Sequence, residues 1–165
     1  MRAITLALFV AVATHVLPAQ TRPTVVGTWQ LVSSIRTDSA GKQTNTLGEH
    51  PLGRIMYTAD GYMAAQLYDA TRAKLGADMT KADPAAVRAA FLGMATYFGR
   101  YTLDTVAHTV THDVEGAYSP DWIGGRLVRS YRFVGANRIE LTVLTTFEGK
   151  KPANPTVLVW ERVGR

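Results

Sequence analysis

Two short motifs, one at each end of the strand-rich part of this chain, constrain its fold more than any other feature. Gly27-Thr28-Trp29 begins the first strand-like run, and Trp160-Glu161-Arg162 ends the last one. A glycine lets the backbone turn sharply, a tryptophan can plug the floor of a barrel, and an arginine can stack on the indole ring. The motifs therefore predict that Gly27, Trp29 and Arg162 close a small β-barrel.

Short runs of alternating apolar and polar residues lie between these motifs and are typical of half-buried strands. Asp83 and Pro84 predict the start of one helix, because aspartate caps helices and proline suits their first position. Gly99 lies just past its expected end, and the helix carries an apolar stripe of Val87, Ala90, Phe91 and Met94. The expected strands are 29–36, 53–58, 62–68, 99–103, 108–117, 126–134, 138–146 and 156–163.

This order of elements predicts an all-β fold, an eight-stranded up-and-down antiparallel barrel with one short helical insert between the third and fourth strands. The second and third strands are joined by Ala59-Asp60-Gly61, a tight-turn sequence. A hairpin closed there sets Tyr57 opposite Met63 and Ile55 opposite Ala65, all on one apolar face. Tyr57 and Met63 are therefore expected to face the barrel interior and any ligand within it.

The N-terminal residues have the composition of an export signal. Arg2 precedes an apolar run of signal-peptide length, and a small residue, Ala19, follows Leu17 and Pro18. The sequence thus predicts a signal peptide over residues 1–19, one barrel domain over residues 20–165, and a periplasmic or extracellular location. The run is too short to span a bilayer, so no stable membrane insertion is expected.

The composition bears on the stability of the fold and on its partners. The chain has no cysteine, so an apolar core rather than disulfides must hold the domain together. The formal net charge is +5, a mild excess, and the basic residues show neither a helical basic face nor interleaving with aromatic residues. Nucleic-acid binding is therefore not expected. The sequence leaves the oligomeric state open.

Three further segments carry a family resemblance: residues 51–63, residues 99–101, and residues 110–116 continuing to 120–124. Together with the two closing motifs, they make the chain similar to the lipocalin-like domain family, a group of small single barrels from bacteria and fungi within the lipocalin/calycin superfamily. The resemblance covers essentially all of residues 25–163. It implies a calycin-type barrel but no settled activity.

The fifth and sixth strands place polar groups on an otherwise apolar face. Alternation sets His112 between Val110 and Val114, and sets Arg129 and Tyr131 between Leu127 and Phe133. Pairing the strands across residues 118–125 predicts that His112 lies near Tyr131. Apolar walls with a few polar groups are typical of a ligand pocket. Arg129 and Tyr131 suit a carboxylate, and Arg129 is expected either to pair with Glu161 or to bind a ligand anion.

Two further aromatic residues are candidates for ligand contact. Tyr101 is expected to face inward, and Trp122 is expected either to form an aromatic lid at one barrel end or to attach its loop to the rim. No metal site is predicted, because His108 and His112 stand about 13 Å apart along one strand. No cofactor is predicted.

Three functions remain open from sequence. The first is a secreted carrier or sensor that binds a small hydrophobic or amphipathic molecule within the barrel. The second is a small enzyme of the isomerase or cyclase type, in which His112 and Tyr131 exchange protons with a hydrophobic substrate. The third is a structural domain whose interior is filled by its own side chains.

Overall fold

The computed structural model describes residues 24–164 of the chain. The predicted signal peptide, residues 1–19, lies outside the described residues, so its assignment stays a prediction. Nine strands and one α-helix follow in order: β1 (Gly27–Thr37), β2 (Gln43–Asn45), β3 (Leu52–Tyr57), β4 (Tyr62–Tyr68), α1 (Pro84–Leu92), β5 (Met94–Asp104), β6 (Thr109–Ala117), β7 (Arg126–Phe133), β8 (Arg138–Val143) and β9 (Thr156–Arg162).

Eight of these strands form a closed antiparallel barrel. Strand β1 pairs with β3, each later strand pairs with the next, and β9 returns to pair with β1. The short β2 pairs with the far end of β1, beyond the residues that contact β3. The predicted all-β, eight-stranded up-and-down barrel is therefore confirmed, and β2 is a small addition where only a loop was expected.

The β3–β4 hairpin has the predicted register. Tyr57 pairs with Met63 and Ile55 pairs with Ala65. All four side chains are buried, at 1–4% exposure. Because a strand alternates its faces, the tight turn and the apolar pattern together suffice to determine which side chains enter the core.

One end of the barrel is closed by Trp29 and Arg162. The Trp29 ring is fully buried, and its indole nitrogen donates a hydrogen bond to the Val25 carbonyl at 2.8 Å. The Arg162 guanidinium lies 4.0 Å above that ring and donates to the carbonyl of Val26 at 2.9 Å. Gly27 has a φ of 133°, and a Cβ there would lie 2.5 Å from the guanidinium. Only glycine accommodates both the backbone angle and the arginine.

The helix lies between the third and fourth barrel strands, as predicted. Asp83 caps it through the backbone N–H groups of Ala85 and Ala86, and Pro84 is its first residue. The expected extension to Gly99 is wrong, because the helix ends at Leu92. No helix among residues 24–164 is long and apolar enough to cross a lipid bilayer.

Strand β5 begins at Met94, five residues before the expected start. Residues 94–98 instead pair with β4, starting from Met94 opposite Tyr68. A β-bulge follows between Phe98 and Gly99, where a Cβ on Gly99 would overlap the carbonyl oxygen of Asp113. Met94 was expected on the apolar stripe of the helix, but it pairs with β4 instead and belongs to the strand.

Candidate ligand-binding site

The barrel contains a cavity of about 350 Å³ at the end opposite Trp29. Its lining comes from the end of β1, the end of β4, and the beginnings of β5 and β9, which meet at one end of an antiparallel barrel. This volume lies within the usual range for small-molecule sites. Most of the wall is apolar and includes Ile55, Leu67, Leu141 and Leu158.

Three segments outside the barrel strands contribute to the rim of the cavity, and one of them is the connection after β2, which supplies Leu47. Leu92, the last residue of α1, lines it, as does Phe147 from the connection between β8 and β9. Phe147 stacks on Trp122 with the two rings nearly parallel, at 6°, and Tyr118 packs edge-on against Trp122. Trp122 therefore supports the wall from behind, one layer away from the cavity.

A chain of three buried side chains crosses from the core to the cavity. His112 is fully buried and lines the cavity. Its Nε2 lies 2.9 Å from the Tyr57 hydroxyl, and its Nδ1 lies 3.1 Å from the Tyr97 hydroxyl. Tyr97 also lines the cavity, whereas Tyr57 lies behind it in the core.

Burial keeps all three of these groups neutral. Loss of solvation and, to a smaller extent, the positive charge of Arg129 together lower the pKa of His112 to about 3. Burial also raises the pKa of Tyr57 and of Tyr97 above that of a free tyrosine, because the phenolate form loses its hydration. At neutral pH these three hydrogen-bonded groups are therefore a neutral imidazole and two neutral phenols.

Arg129 is the charged group deepest in the cavity wall. It is 6% exposed, and its Nη1 donates to the carbonyls of Val128 at 3.0 Å and Thr145 at 2.8 Å. Arg129 and Tyr97 both line the cavity, and the positive charge of Arg129 partly offsets the effect of burial on the pKa of Tyr97. No aspartate or glutamate lines the cavity.

Of the two alternatives for Arg129, the pairing with Glu161 is wrong. Glu161 is exposed and lies 3.6 Å from Arg138, because its position in β9 faces outward while Leu158 and Trp160 face inward. Within residues 24–164, no carboxylate lies within 4 Å of the Arg129 guanidinium. The charge of Arg129 is compensated only by carbonyl dipoles.

The expected proximity of His112 and Tyr131 is also wrong. His112 pairs with Leu127 and Arg129 pairs with Val110, so the register differs by four residues from the expected one. The β6–β7 pairing ends at Val114 and Gly125, since residues 116 and 117 leave β7 and pair with β5. An even shift keeps every side chain on its predicted face, which is why His112 and Arg129 still point inward.

Tyr131 consequently lies away from the cavity. Its ring packs edge-on against His108 at 5.7 Å and against Phe133 at 5.8 Å. It does not line the cavity, and the acid–base pair expected of an enzyme is absent. The two tyrosines bonded to His112 are Tyr57 and Tyr97 instead.

The other predicted ligand-binding residues belong to the core. Met63 is buried and does not line the cavity. Tyr101 packs edge-on against Tyr57 at 4.9 Å and donates a hydrogen bond to the Thr58 carbonyl at 2.8 Å. Both stabilise the core around the Tyr57 side chain.

Tyr97 and Trp160 are among the residues of the cavity wall that sequence reasoning missed. Tyr97 lies on the same face of β5 as Tyr101, because the two are four residues apart. This pattern was not recognised, since the strand was expected to start at Gly99. Trp160 was assigned only to the closing motif, yet it lines the cavity. Its buried indole N–H has no hydrogen-bond partner among the described residues. Within residues 24–164, no group of three or more histidine or carboxylate side chains is placed to hold a metal ion.

Comparison with known proteins identifies the family to which the chain belongs. No curated protein matches the chain. Among solved structures, a redesigned β-barrel is similar with a TM-score of 0.41 and 12% sequence identity, over 85% of this chain and 92% of that one. The model of a family described as a lipocalin-like domain matches residues 26–163. The match spans every strand of the barrel and both closing motifs, and the chain therefore belongs to the lipocalin-like domain family.

Proposed function

We propose that this protein binds a small amphipathic acid in the barrel cavity, with its carboxylate against Arg129 and its apolar part along the aliphatic wall. The observation that carries the proposal is a buried arginine in a cavity with no carboxylate in its lining. The role is that of a carrier or sensor, which requires binding and no chemical step.

The energetics of Arg129 support an anionic ligand. A buried charge without a counter-ion is costly, and carbonyl dipoles compensate it only in part. An arginine binds a carboxylate through two parallel charge-assisted hydrogen bonds, which are roughly twice as strong as neutral ones. Arg36, at the rim, adds a second positive charge near the mouth of the cavity.

The size and shape of the cavity support a ligand over a purely structural barrel. An interior filled by its own side chains leaves no space of about 350 Å³. The aliphatic wall favours a ligand with a hydrocarbon part, because burial contributes about 25 cal/mol per Å² of apolar surface.

Replacing Arg129 with methionine is expected to weaken binding of decanoate by about 10- to 100-fold, because a hydrogen bond to a charged group contributes about 1.5–3 kcal/mol. Binding of 1-decanol, which has the same chain and no charge, is expected to change by less than about threefold. Isothermal titration calorimetry with both compounds measures the difference.

Arg132→Gln is the matched control for this prediction. Arg132 lies on the same strand but faces outward, where it pairs with Glu140. Its replacement should leave the affinity for both compounds unchanged. Equal losses for decanoate and decanol in Arg129→Met would contradict a carboxylate at this position. Circular dichroism of each variant checks that the barrel remains folded.

We also propose that the protein acts after export, on the basis of the predicted signal at residues 1–19. N-terminal sequencing of the protein purified from its own host tests this part. A mature chain that begins near Gln20 supports it, and a cytoplasmic chain that retains Met1 or Arg2 contradicts it.

A further inference from the structure

We infer that the Tyr97 hydroxyl donates its hydrogen to the ligand, and that Tyr57 and His112 act as positioning residues that set this direction. The inference deepens the proposed function and rests on it for the ligand. It makes Tyr97 a specificity-determining residue and limits the polar end of the ligand to groups that accept hydrogen bonds.

The number of hydrogens shared by Tyr57, His112 and Tyr97 limits the possible directions of their hydrogen bonds. A neutral imidazole has one N–H donor and one bare nitrogen acceptor. His112 contacts a tyrosine hydroxyl at each nitrogen. One tyrosine must therefore donate to His112, and the other must accept from it. The accepting tyrosine keeps its own O–H for a third partner.

The surroundings of the two tyrosines decide between the two directions. Tyr57 is 2% exposed, and among the described residues its hydroxyl has no hydrogen-bond partner besides His112. If Tyr57 were the accepting residue, its O–H would be buried without an acceptor, which is unfavourable because the donor would lose its hydration without gaining a partner. Tyr57 therefore donates to Nε2, and the histidine hydrogen resides on Nδ1.

Tyr97 then accepts from Nδ1 and keeps a free O–H at the cavity wall. The Arg129 guanidinium lines the same cavity, so two kinds of donor face the same space. A carboxylate has two acceptor oxygens and no hydrogen, and it can take one bond from each residue. An alkylammonium group has only N–H donors and a positive charge, so it would meet donors and a like charge, and the site would reject it.

The first test measures the position of the hydrogen on His112 in the ligand-free protein. Long-range ¹H–¹⁵N correlation spectra of the labelled protein distinguish a protonated ring nitrogen from a bare one. The variants His50→Gln and His108→Gln assign the remaining signals. We expect a hydrogen on Nδ1 of His112 at pH 7. A hydrogen on Nε2 would overturn the proposed direction.

The second test measures the contribution of Tyr97 to binding. Tyr97→Phe removes only the hydroxyl, and decanoate is expected to bind about tenfold more weakly than to the unmodified protein. Tyr131→Phe is the matched control, because this tyrosine faces inward but lies outside the cavity lining. It should leave the affinity unchanged. Decylamine should bind neither the unmodified protein nor the variants.

The outcomes separate this inference from the proposed function. Equal affinities of Tyr97→Phe and Tyr131→Phe for decanoate would overturn the role of Tyr97, while binding by the unmodified protein would still support the carrier. Absence of decanoate binding by the unmodified protein would overturn the ligand role of Tyr97 together with the proposed function. The spectra of His112 test the hydrogen-bond direction independently of any ligand.

Discussion

Lowering the pH from 7 to 5 is expected to reduce the free energy of unfolding by about 2 kcal/mol through His112 alone. The folded barrel holds this imidazole neutral, with a pKa of about 3, whereas a histidine in the unfolded chain has a pKa of about 6.5. Below pH 6.5 the unfolded chain therefore binds a proton that the folded chain does not, and stability falls as the pH falls.

The window for this effect follows from the two pKa values. Stability is complete above about pH 6.5 and declines by about 1.4 kcal/mol for each pH unit until the folded-state pKa near 3 is reached. The total loss over this range is about 5 kcal/mol, a large part of the stability of an ordinary domain. Protonation in the folded state would add a second positive charge near Arg129 and would leave the buried O–H of Tyr57 without the nitrogen acceptor that it uses in the neutral state.

Urea unfolding at pH 7, 6 and 5 measures the effect. His112→Gln, which keeps a polar side chain but does not titrate, is expected to remove most of the slope between pH 7 and 5. His50→Gln, at an exposed loop position, should retain it. If His112→Gln does not fold, an NMR titration of His112 in the unmodified protein replaces it. A His112 signal that titrates near pH 6.5 in the folded protein would contradict the prediction.

Replacing Trp29 with alanine is expected to lower the free energy of unfolding by about 4 kcal/mol, because truncation of a buried aromatic residue usually costs about 3–5 kcal/mol. Trp29 is fully buried at the closed end, and its loss removes the surface on which Arg162 stacks. The hydrogen bond from its indole to Val25 is lost as well. For a domain of this size, the melting temperature should fall by roughly 15 °C.

Trp122→Ala is the control for this second prediction. Trp122 is half-buried and stacks on Phe147 at the rim, so its truncation leaves the core and the strand pairing in place. It should lower the free energy of unfolding by less than about 2 kcal/mol. Equal effects of the two alanine variants, measured by calorimetry, would contradict a special role of Trp29 in barrel closure.

Local patterns were sufficient to predict the barrel and the faces of its strands. The period of two along a strand depends only on neighbouring residues, so His112 and Arg129 were identified as inward-facing before their partners were known. The Ala59-Asp60-Gly61 turn also determined the register of its hairpin, because a tight turn leaves one pairing that buries both apolar faces.

The register of two strands that are joined by a long connection could not be predicted from the sequence. Residues 115–124 lie between the last paired positions of β6 and β7, and part of this segment pairs with β5 instead. The choice between β5 and β7 depends on contacts across the barrel, which no local pattern contains. A different competition, between extension of the helix and pairing with β4, decided where β5 begins and concealed Tyr97 from the list of candidate residues.

The sequence by itself determined the fold class, the family, the closing motif and the presence of His112 and Arg129 in the interior, because alternation and turn chemistry are local properties. Only the tertiary structure decided that His112 meets Tyr57 and Tyr97, that Glu161 does not meet Arg129, and that a cavity of about 350 Å³ remains at one end of the barrel. These features depend on register and closure, which bring together residues far apart in the chain.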